Sequence, residues 1–145
     1  MNGYAADITR TYAFGEPTKR QKAVHAAVVA AHNAIVNLLS PSLSVQDYQA
    51  EVMKIMGESV ASLGLISSSD DEALMQYFPH AVSHGLGLDV HDSLGSPRFL
   101  ETGMVLTVEP GIYIPEEDIG VRIEDDILIT EKGHRNLSKA LSTAW

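Results

Sequence analysis

The chain has 145 residues, a length typical of a single domain, and its 45% hydrophobic and 20% charged content is ordinary for a globular protein with one core. Its formal net charge of −9 disfavours nucleic acid and anionic membranes as partners, because like charges would repel. The absence of cysteine excludes disulfides and thiolate metal sites, so any metal ion must be bound by oxygen and imidazole ligands.

No segment has the pattern of a targeting sequence or a membrane span. The N-terminal residues lack both the basic and the apolar regions of a signal peptide. The most apolar run, residues 23–39, is interrupted by two histidines and two asparagines, which makes it too polar and too short to cross a bilayer. We therefore predict a cytoplasmic protein with no membrane partner and no nucleic-acid partner.

The first half of the chain is predicted to form one strand and two long helices. Residues 4–14 are rich in β-branched and aromatic side chains and are followed by Gly15-Glu16-Pro17, which is typical of a strand that ends in a turn. Thr18 and Ser44 each begin a capping-box pattern, and apolar residues at helical spacing follow each of them. The two helices are predicted to end near residues 39 and 63.

The second half changes to short β segments separated by glycine and proline. A short helical turn is predicted near residues 71–77, and strands are predicted over residues 104–109, 112–114, 121–124 and 126–130. The tail from Leu137 has no such pattern and is predicted to be loosely held. The sequence thus indicates one α+β unit, with two helices packed on a largely antiparallel sheet.

Three acidic residues lie where a strand seldom carries a charge. Asp7 lies in the first predicted strand, Glu109 ends a strongly apolar run, and Glu124 is flanked by valine and isoleucine. Strand alternation places Arg122, Glu124 and Asp126 on one face, and burying that face costs free energy unless its groups are paired or bind a metal. A lone strand aspartate is usually solvated, and a salt-bridge network is the competing explanation.

Three of the six histidines, His80, His84 and His91, lie close together and alternate with glycine. Gly85 and Gly87 permit close backbone approach and unusual backbone angles. A lone histidine is usually structural, but this grouping favours a site in which one imidazole binds metal and the others move protons or contact substrate. The histidines at positions 25, 32 and 134 have no such context, so we predict structural or surface roles for them.

These residues together form a hard-to-borderline ligand set. Asp7, Glu109 and Glu124 supply carboxylates, and His84 supplies an imidazole. Such ligands suit Mn²⁺, Co²⁺, Fe²⁺ or Zn²⁺ rather than a soft metal.

Four segments, in this order, resemble the Xaa-Pro peptidases, the family of aminopeptidase P and prolidase. They are residues 3–11, 80–92, 105–114 and 121–130. The resemblance implies the C-terminal part of a pita-bread catalytic domain, in which two helices pack on a curved, largely antiparallel sheet. It also implies that residues 1–145 form a single unit from which the N-terminal half of that domain is absent.

The family hydrolyses the peptide bond between an N-terminal residue and proline, and uses two divalent ions, usually manganese, to activate a bridging hydroxide. On this resemblance Asp7 and Glu124 bridge both ions, while His84 and Glu109 complete the ligand shell of one. Glu109 also matches the general base that moves the proton.

Four further residues match positions around the substrate in the family. His80 and His91 resemble the histidines that contact the substrate and stabilise the tetrahedral intermediate. Arg122 resembles an arginine that holds the site in place, and Tyr113 lies where the family has a tyrosine near the active site. The implied partner is a proline-containing peptide.

A further metal-binding aspartate of the family would lie ahead of Met1. The resemblance therefore implies one well-formed metal position, for Mn²⁺ or for Co²⁺, Zn²⁺ or Fe²⁺, and impaired hydrolysis by this chain alone. The absent half implies an exposed strand edge, covered by a homo-oligomer or by a separate N-terminal segment. Two alternatives stay open: an Xaa-Pro dipeptidase, and a catalytically silent pita-bread fragment that acts as a binding module. The compact interval between Glu109 and Glu124 favours the aminopeptidase over the dipeptidase.

Overall fold

The structure, a computed structural model, describes residues 3–67 and 71–144, so Met1 lies outside the described residues. In chain order its elements are α1 (Lys19–Leu38), α2 (Val45–Ser62), α3 (Asp71–Met75), β1 (Val105–Val108), β2 (Gly111–Ile114), β3 (Ile119–Arg122), β4 (Asp125–Thr130) and β5 (Gly133–Asn136). A single 3₁₀ turn, Pro115–Glu117, connects β2 to β3. The predicted α+β class is confirmed. None of the helices in the described ranges is long and apolar enough to cross a membrane.

Both long helices begin at the predicted caps. The Thr18 hydroxyl accepts a hydrogen bond from the Gln21 N–H, and the Gln21 side chain accepts one from the Thr18 N–H, which completes a capping box. The Ser44 hydroxyl accepts a hydrogen bond from the Asp47 N–H. The Asp47 carboxylate, in the first turn, interacts favourably with the positive end of the helix dipole. The helix ends predicted near residues 39 and 63 agree with the structure to within about one residue.

The strands are organised around one long β-hairpin that is interrupted at the same point in both arms. β1 pairs with β4 and β2 pairs with β3, both antiparallel. Val108 faces Asp125 in the first ladder and Gly111 faces Arg122 in the second, so the register is the same on both sides of the interruption. The gap covers residues 109–110 in one arm and 123–124 in the other.

One hydrophobic core joins the helices to the strands. α1 packs against α2 and against β1, β2 and β3. Residues that are at most 4% exposed line this contact; they include Val24, Val28, Ile35, Val52, Met56, Val60, Ile112 and Ile127. Since such side chains each contribute roughly 1.5–3 kcal/mol when buried, this core fixes the sheet face that lies against α1.

Residues 4–14, predicted to be a strand, form no regular ladder. Isolated backbone bonds, such as that from the Glu124 N–H to the Thr9 carbonyl, alternate there with side-chain contacts. The Asp7 N–H donates to the Asp126 carboxylate, and the Arg122 N–H donates to Thr11 Oγ1. The strand prediction is therefore wrong in detail, although the segment lies along the hairpin as expected.

The C-terminal part is more ordered than predicted. β5 pairs with β4, but its sequence, Gly-His-Arg-Asn, lacks the β-branched and aromatic residues by which a strand is recognised. Beyond it the Leu137 N–H donates to the Asp126 carbonyl at 2.9 Å, and Ser138 is 4% exposed. The prediction of a loosely held tail is therefore wrong for residues 137–138.

Candidate metal centre

The interruption of the hairpin brings two glutamates face to face. Because one register runs through both ladders, Glu109 lies opposite Glu124 in the gap. Pro110 has no N–H to donate, so the ladder cannot continue through it. Like charges opposite each other in an antiparallel pair are destabilising, and Glu124 is only 1% exposed. A cation bound between the two carboxylates would relieve that repulsion.

The segment that carries His84 lies beside Glu109. Residues 82–86 run along the outer edge of β1 and are joined to it by backbone hydrogen bonds of 2.8 to 3.1 Å. His84 Nδ1 lies 2.9 Å from the Gly85 carbonyl, and since a carbonyl only accepts, Nδ1 carries the proton and Nε2 is left as a ligand atom. Nε2 lies 3.4 Å from Glu109 Oε1 and 3.6 Å from Asp7 Oδ2.

Gly85 and Gly87 allow the two ends of the loop over residues 85–94 to approach each other closely. A Cβ atom on Gly85 would collide with the Asp92 backbone oxygen and the Leu94 side chain, and one on Gly87 would collide with the Asp92 carboxylate. The predicted close approach is therefore confirmed. Neither glycine has a positive φ, so the prediction of unusual backbone angles is wrong in that respect.

The N-terminal segment contributes Asp7 and anchors itself to the junction between β3 and β4. The Asp7 N–H lies 3.3 and 3.4 Å from the two Asp126 carboxylate oxygens. The Thr9 carbonyl accepts the Glu124 N–H at 3.0 Å, and the Thr9 hydroxyl donates to Glu124 Oε2. The same hydroxyl accepts from the Arg122 guanidinium at 3.1 and 3.2 Å. Thr9 thus connects Arg122 to Glu124.

The predicted ligands Asp7, Glu109 and Glu124 all lie near the fourth, the imidazole of His84. The ligand atoms of His84, Glu109 and Glu124 lie within 4.8 Å of one another, and so do those of Asp7, His84 and His91. His91, predicted to act on the substrate, lies within this cluster, with its ring centroid 4.2 Å from that of His84. Three carboxylates with free imidazole nitrogens are a donor set that fits a borderline divalent cation.

The charges of this cluster do not balance within the described residues. Arg122 Nε lies 3.9 Å from Glu124, and its side chain is 40% exposed. Burial raises the pKa of Glu124 above its ordinary value; the Thr9 hydrogen bond opposes that rise, and the Glu109 and Asp7 carboxylates add to it. The salt-bridge network that competes with a metal site therefore leaves an excess of negative charge.

The other two residues matched around the substrate form a hydrogen-bonded pair. His80 Nε2 lies 3.0 Å from the Tyr113 hydroxyl, and the two rings meet edge to face. His80 Nδ1 lies 2.8 Å from the Ala81 carbonyl, which assigns the ring proton to Nδ1 and makes Nε2 the acceptor. Burial raises the pKa of Tyr113, so its hydroxyl stays protonated as a donor.

Two threonines that support the cluster were not identified from the sequence. Thr107 Oγ1 accepts from the His84 N–H at 3.1 Å and donates to Glu109 Oε1 at 3.2 Å. In the same way, the Thr9 hydroxyl donates a hydrogen bond to Glu124 Oε2. Each threonine lies two residues from a predicted ligand, Asp7 or Glu109, and strand alternation is the signal that places it on the same face.

The chain is similar to known metallopeptidases over most of its length. The model of metallopeptidase family M24 matches residues 1–131. Xaa-Pro aminopeptidase of Escherichia coli (strain K12) is 41% identical over 157 aligned positions, which cover 96% of this chain and 36% of that protein. Xaa-Pro aminopeptidase 3 of Rattus norvegicus is 41% identical over 143 positions, covering 88% and 28%. The chain thus spans roughly a third of the length of these curated relatives.

Solved structures agree with the sequence matches. A putative aminopeptidase P from Bacillus anthracis superposes with a TM-score of 0.91 at 43% identity, covering 99% of this chain and 34% of that one. Proline aminopeptidase P II from Yersinia pestis superposes with a TM-score of 0.88 at 41% identity, covering 98% and 37%. The predicted pita-bread fold is confirmed.

Proposed function

This chain belongs to metallopeptidase family M24, and on that premise we propose that it binds a divalent metal ion and acts in the hydrolysis of Xaa-Pro peptide bonds as an aminopeptidase. The observation that carries the proposal is the pairing of Glu109 with buried Glu124 in the gap of the hairpin, with His84 Nε2 3.4 Å from Glu109. The similarity to Xaa-Pro aminopeptidases supports the substrate class.

Asp7, His84, Glu109 and Glu124 would hold the ion. His84 belongs to both candidate groups among the described residues, and because one imidazole nitrogen ligates one ion, we propose a single metal position beside it. Carboxylate oxygens in the majority favour Mn²⁺, with Co²⁺, Zn²⁺ or Fe²⁺ as alternatives. Because the chain spans roughly a third of the relatives' length, we propose that hydrolysis by this chain alone is weak.

The remaining chemistry falls to the side chains around the ion. A divalent ion supplies Lewis-acid chemistry, activating water and polarising a carbonyl oxygen. Glu109, 13% exposed, accepts the proton of the attacking water and returns it to the departing proline nitrogen. His91 donates a hydrogen bond to the substrate carbonyl as it becomes tetrahedral, and the Tyr113 hydroxyl can do the same once it turns away from His80 Nε2.

Metal uptake and peptide hydrolysis test this proposal together. The purified chain is loaded with Mn²⁺ or Co²⁺, its metal content is measured, and an Xaa-Pro-Xaa tripeptide is assayed. We expect about one ion per chain, and we expect Glu124→Gln to abolish uptake because it removes a ligand charge. Glu116→Gln, on the exposed 3₁₀ turn, is the matched control and should bind as the parent does. No uptake by the parent, or equal uptake by Glu124→Gln, contradicts the proposal.

The same assay separates the alternatives. Cleavage of the dipeptide Xaa-Pro in preference to the tripeptide would identify an Xaa-Pro dipeptidase. Metal and peptide binding without turnover, even at long incubation, would identify a catalytically silent binding module.

An exposed apolar edge supports the predicted association. Tyr4, Tyr12 and Phe14 are 74%, 69% and 112% exposed, and residues 4–14 form no regular ladder. We propose that a second copy of the chain, or the N-terminal segment of the catalytic domain, covers this edge. Gel filtration of the chain alone should show self-association, and a clean monomer at all concentrations would count against covering by a second copy.

A further inference from the structure

Arg10 lies three residues after Asp7, and all three nitrogens of its guanidinium donate hydrogen bonds. The side chain is 7% exposed, and Nη2 forms an ion pair of 2.6 Å with Asp125 Oδ1. Nε donates to the Ser142 carbonyl at 3.0 Å, and Nη2 donates to the Leu141 carbonyl at 2.9 Å. The guanidinium therefore joins the N-terminal segment, β4 and the C-terminal tail.

The remaining contacts of Arg10 reach the backbone of the metal cluster. Nη1 donates to the Thr9 carbonyl at 2.8 Å and to the Glu124 carbonyl at 2.7 Å. The Thr9 carbonyl also accepts the Glu124 N–H at 3.0 Å. One guanidinium nitrogen thus bridges the segment that carries Asp7 and the junction that carries Glu124.

From these contacts we infer that Arg10 is a positioning residue of the metal centre, a clamp that fixes the spacing between Asp7 and Glu124 without touching either carboxylate. The clamp also makes residues 141–142 of the tail part of the support of the centre. The clamp itself follows from the geometry, while its effect on metal affinity rests on the proposed function.

The shape of the contact explains why an arginine is needed. Its planar fork presents several donors at fixed angles, so four carbonyls and a carboxylate are bound at once. A lysine ammonium in the same place keeps the charge opposite Asp125 but cannot bridge the carbonyls of Thr9 and Glu124 in the same geometry.

Arg20 provides a matched control elsewhere in the chain. It binds the Glu117 carboxylate through two nitrogens at 2.7 and 2.8 Å and donates to the Leu63 carbonyl at 2.9 Å. It therefore makes the same kinds of contact as Arg10, at the start of α1 and without bonding any residue of the metal cluster.

The test compares Arg10→Gln and Arg10→Lys with Arg20→Gln and Arg20→Lys in the full chain. Hydrogen–deuterium exchange of the metal-free proteins reports on the Glu124 amide, and titration with Co²⁺ reports on metal affinity. We expect faster exchange at Glu124 and about ten- to a hundredfold weaker Co²⁺ binding in both Arg10 variants. Both Arg20 variants should match the parent in both measurements.

Each outcome bears on a distinct claim. Unchanged protection of the Glu124 amide in Arg10→Lys, which retains the buried charge and so the best prospect of folding, overturns the clamp. Faster exchange with unchanged Co²⁺ affinity overturns the positioning role, because a merely structural residue would produce that result. If the parent binds no Co²⁺, the proposed function fails, and the amide exchange alone decides whether the clamp exists.

Discussion

Glu124 and Asp125 follow each other in the chain, and both are almost fully buried, yet their carboxylates meet opposite surroundings. Asp125 faces α1 and accepts from the Arg10 guanidinium at 2.6 Å and from the Asn136 amide, and the His32 ring lies 3.4 Å from it. Glu124 accepts one hydrogen bond, from the Thr9 hydroxyl, and lies among other carboxylates. Successive strand residues point to opposite faces, which separates the two environments within a single peptide unit.

A buried acid can thus either stabilise the fold through protein partners or remain available to bind a ligand. A carboxylate whose partners all come from the protein stabilises the fold only while every partner remains. A carboxylate left short of partners weakens the metal-free fold and strengthens the attraction for a cation. Three substitutions distinguish these two kinds of buried acid: Asp125→Ala, Glu124→Gln and His32→Gln.

Asp125→Ala should be severely destabilising. It leaves the Arg10 guanidinium buried without its carboxylate, and breaking such a pair from one side costs about 3–5 kcal/mol of unfolding free energy. Urea unfolding at neutral pH measures the loss. Glu131→Ala on the exposed turn after β4 should change the free energy by no more than about 0.5 kcal/mol. A loss below about 1 kcal/mol for Asp125→Ala would remove the contrast between the two acids.

Glu124→Gln should stabilise the metal-free chain at neutral pH, by less than Asp125→Ala costs. Burial raises the pKa of Glu124, so its contribution to stability is present below the unfolded pKa of about 4.3 and is lost as pH rises through the folded value. The parent should therefore lose stability from this group as pH rises toward 7, and the variant should not. Urea unfolding in the presence of a chelator, at several pH values, follows the difference. Equal pH profiles for the two proteins would contradict it.

His32→Gln should have the smallest effect, confined to mild acid. Burial lowers the pKa of His32 against the opposing influence of Asp125, so its contribution to stability is present above the unfolded pKa of about 6.5 and is lost as pH falls below it. The parent should lose unfolding free energy between pH 7 and pH 5, and His32→Gln should lose less. Burial also lowers the pKa of His25, so part of the acid loss should remain in the variant. An unchanged pH profile in His32→Gln would show that this ring does not titrate with unfolding.

The parts of the molecule that could be predicted from the sequence are set by neighbours in the chain. The caps at Thr18 and Ser44 require only residues within one helical turn, so both helix starts were predictable. Glu109 and Glu124 were recognisable because each charge interrupts a β-branched run. Which of the surrounding acids bind a metal stays a prediction until the titration is done.

The supports of the site could not be predicted because they depend on contacts between distant residues. Asp7 and Asp126 are separated by 119 positions, and Arg10 and Ser142 by 132. Nothing local marks these pairs, and a polar segment such as β5 or the tail resembles a loop until its partners are known.

The shared register on the two sides of the hairpin gap has a consequence for chain length. The alignment of Glu109 with Glu124 is set by β1 and β4 as well as by β2 and β3, so the connection at Pro115–Glu117 does not determine it. Residues added to that exposed connection would lengthen the tip and leave the glutamates opposite each other. One residue inserted between Ile119 and Ile123 would instead shift the register of that arm by one residue. Side chains on one side of the insertion would then point to the other face, and Glu124 would no longer lie opposite Glu109. The length of the hairpin tip can therefore vary without moving the two glutamates, whereas the length of the arms cannot.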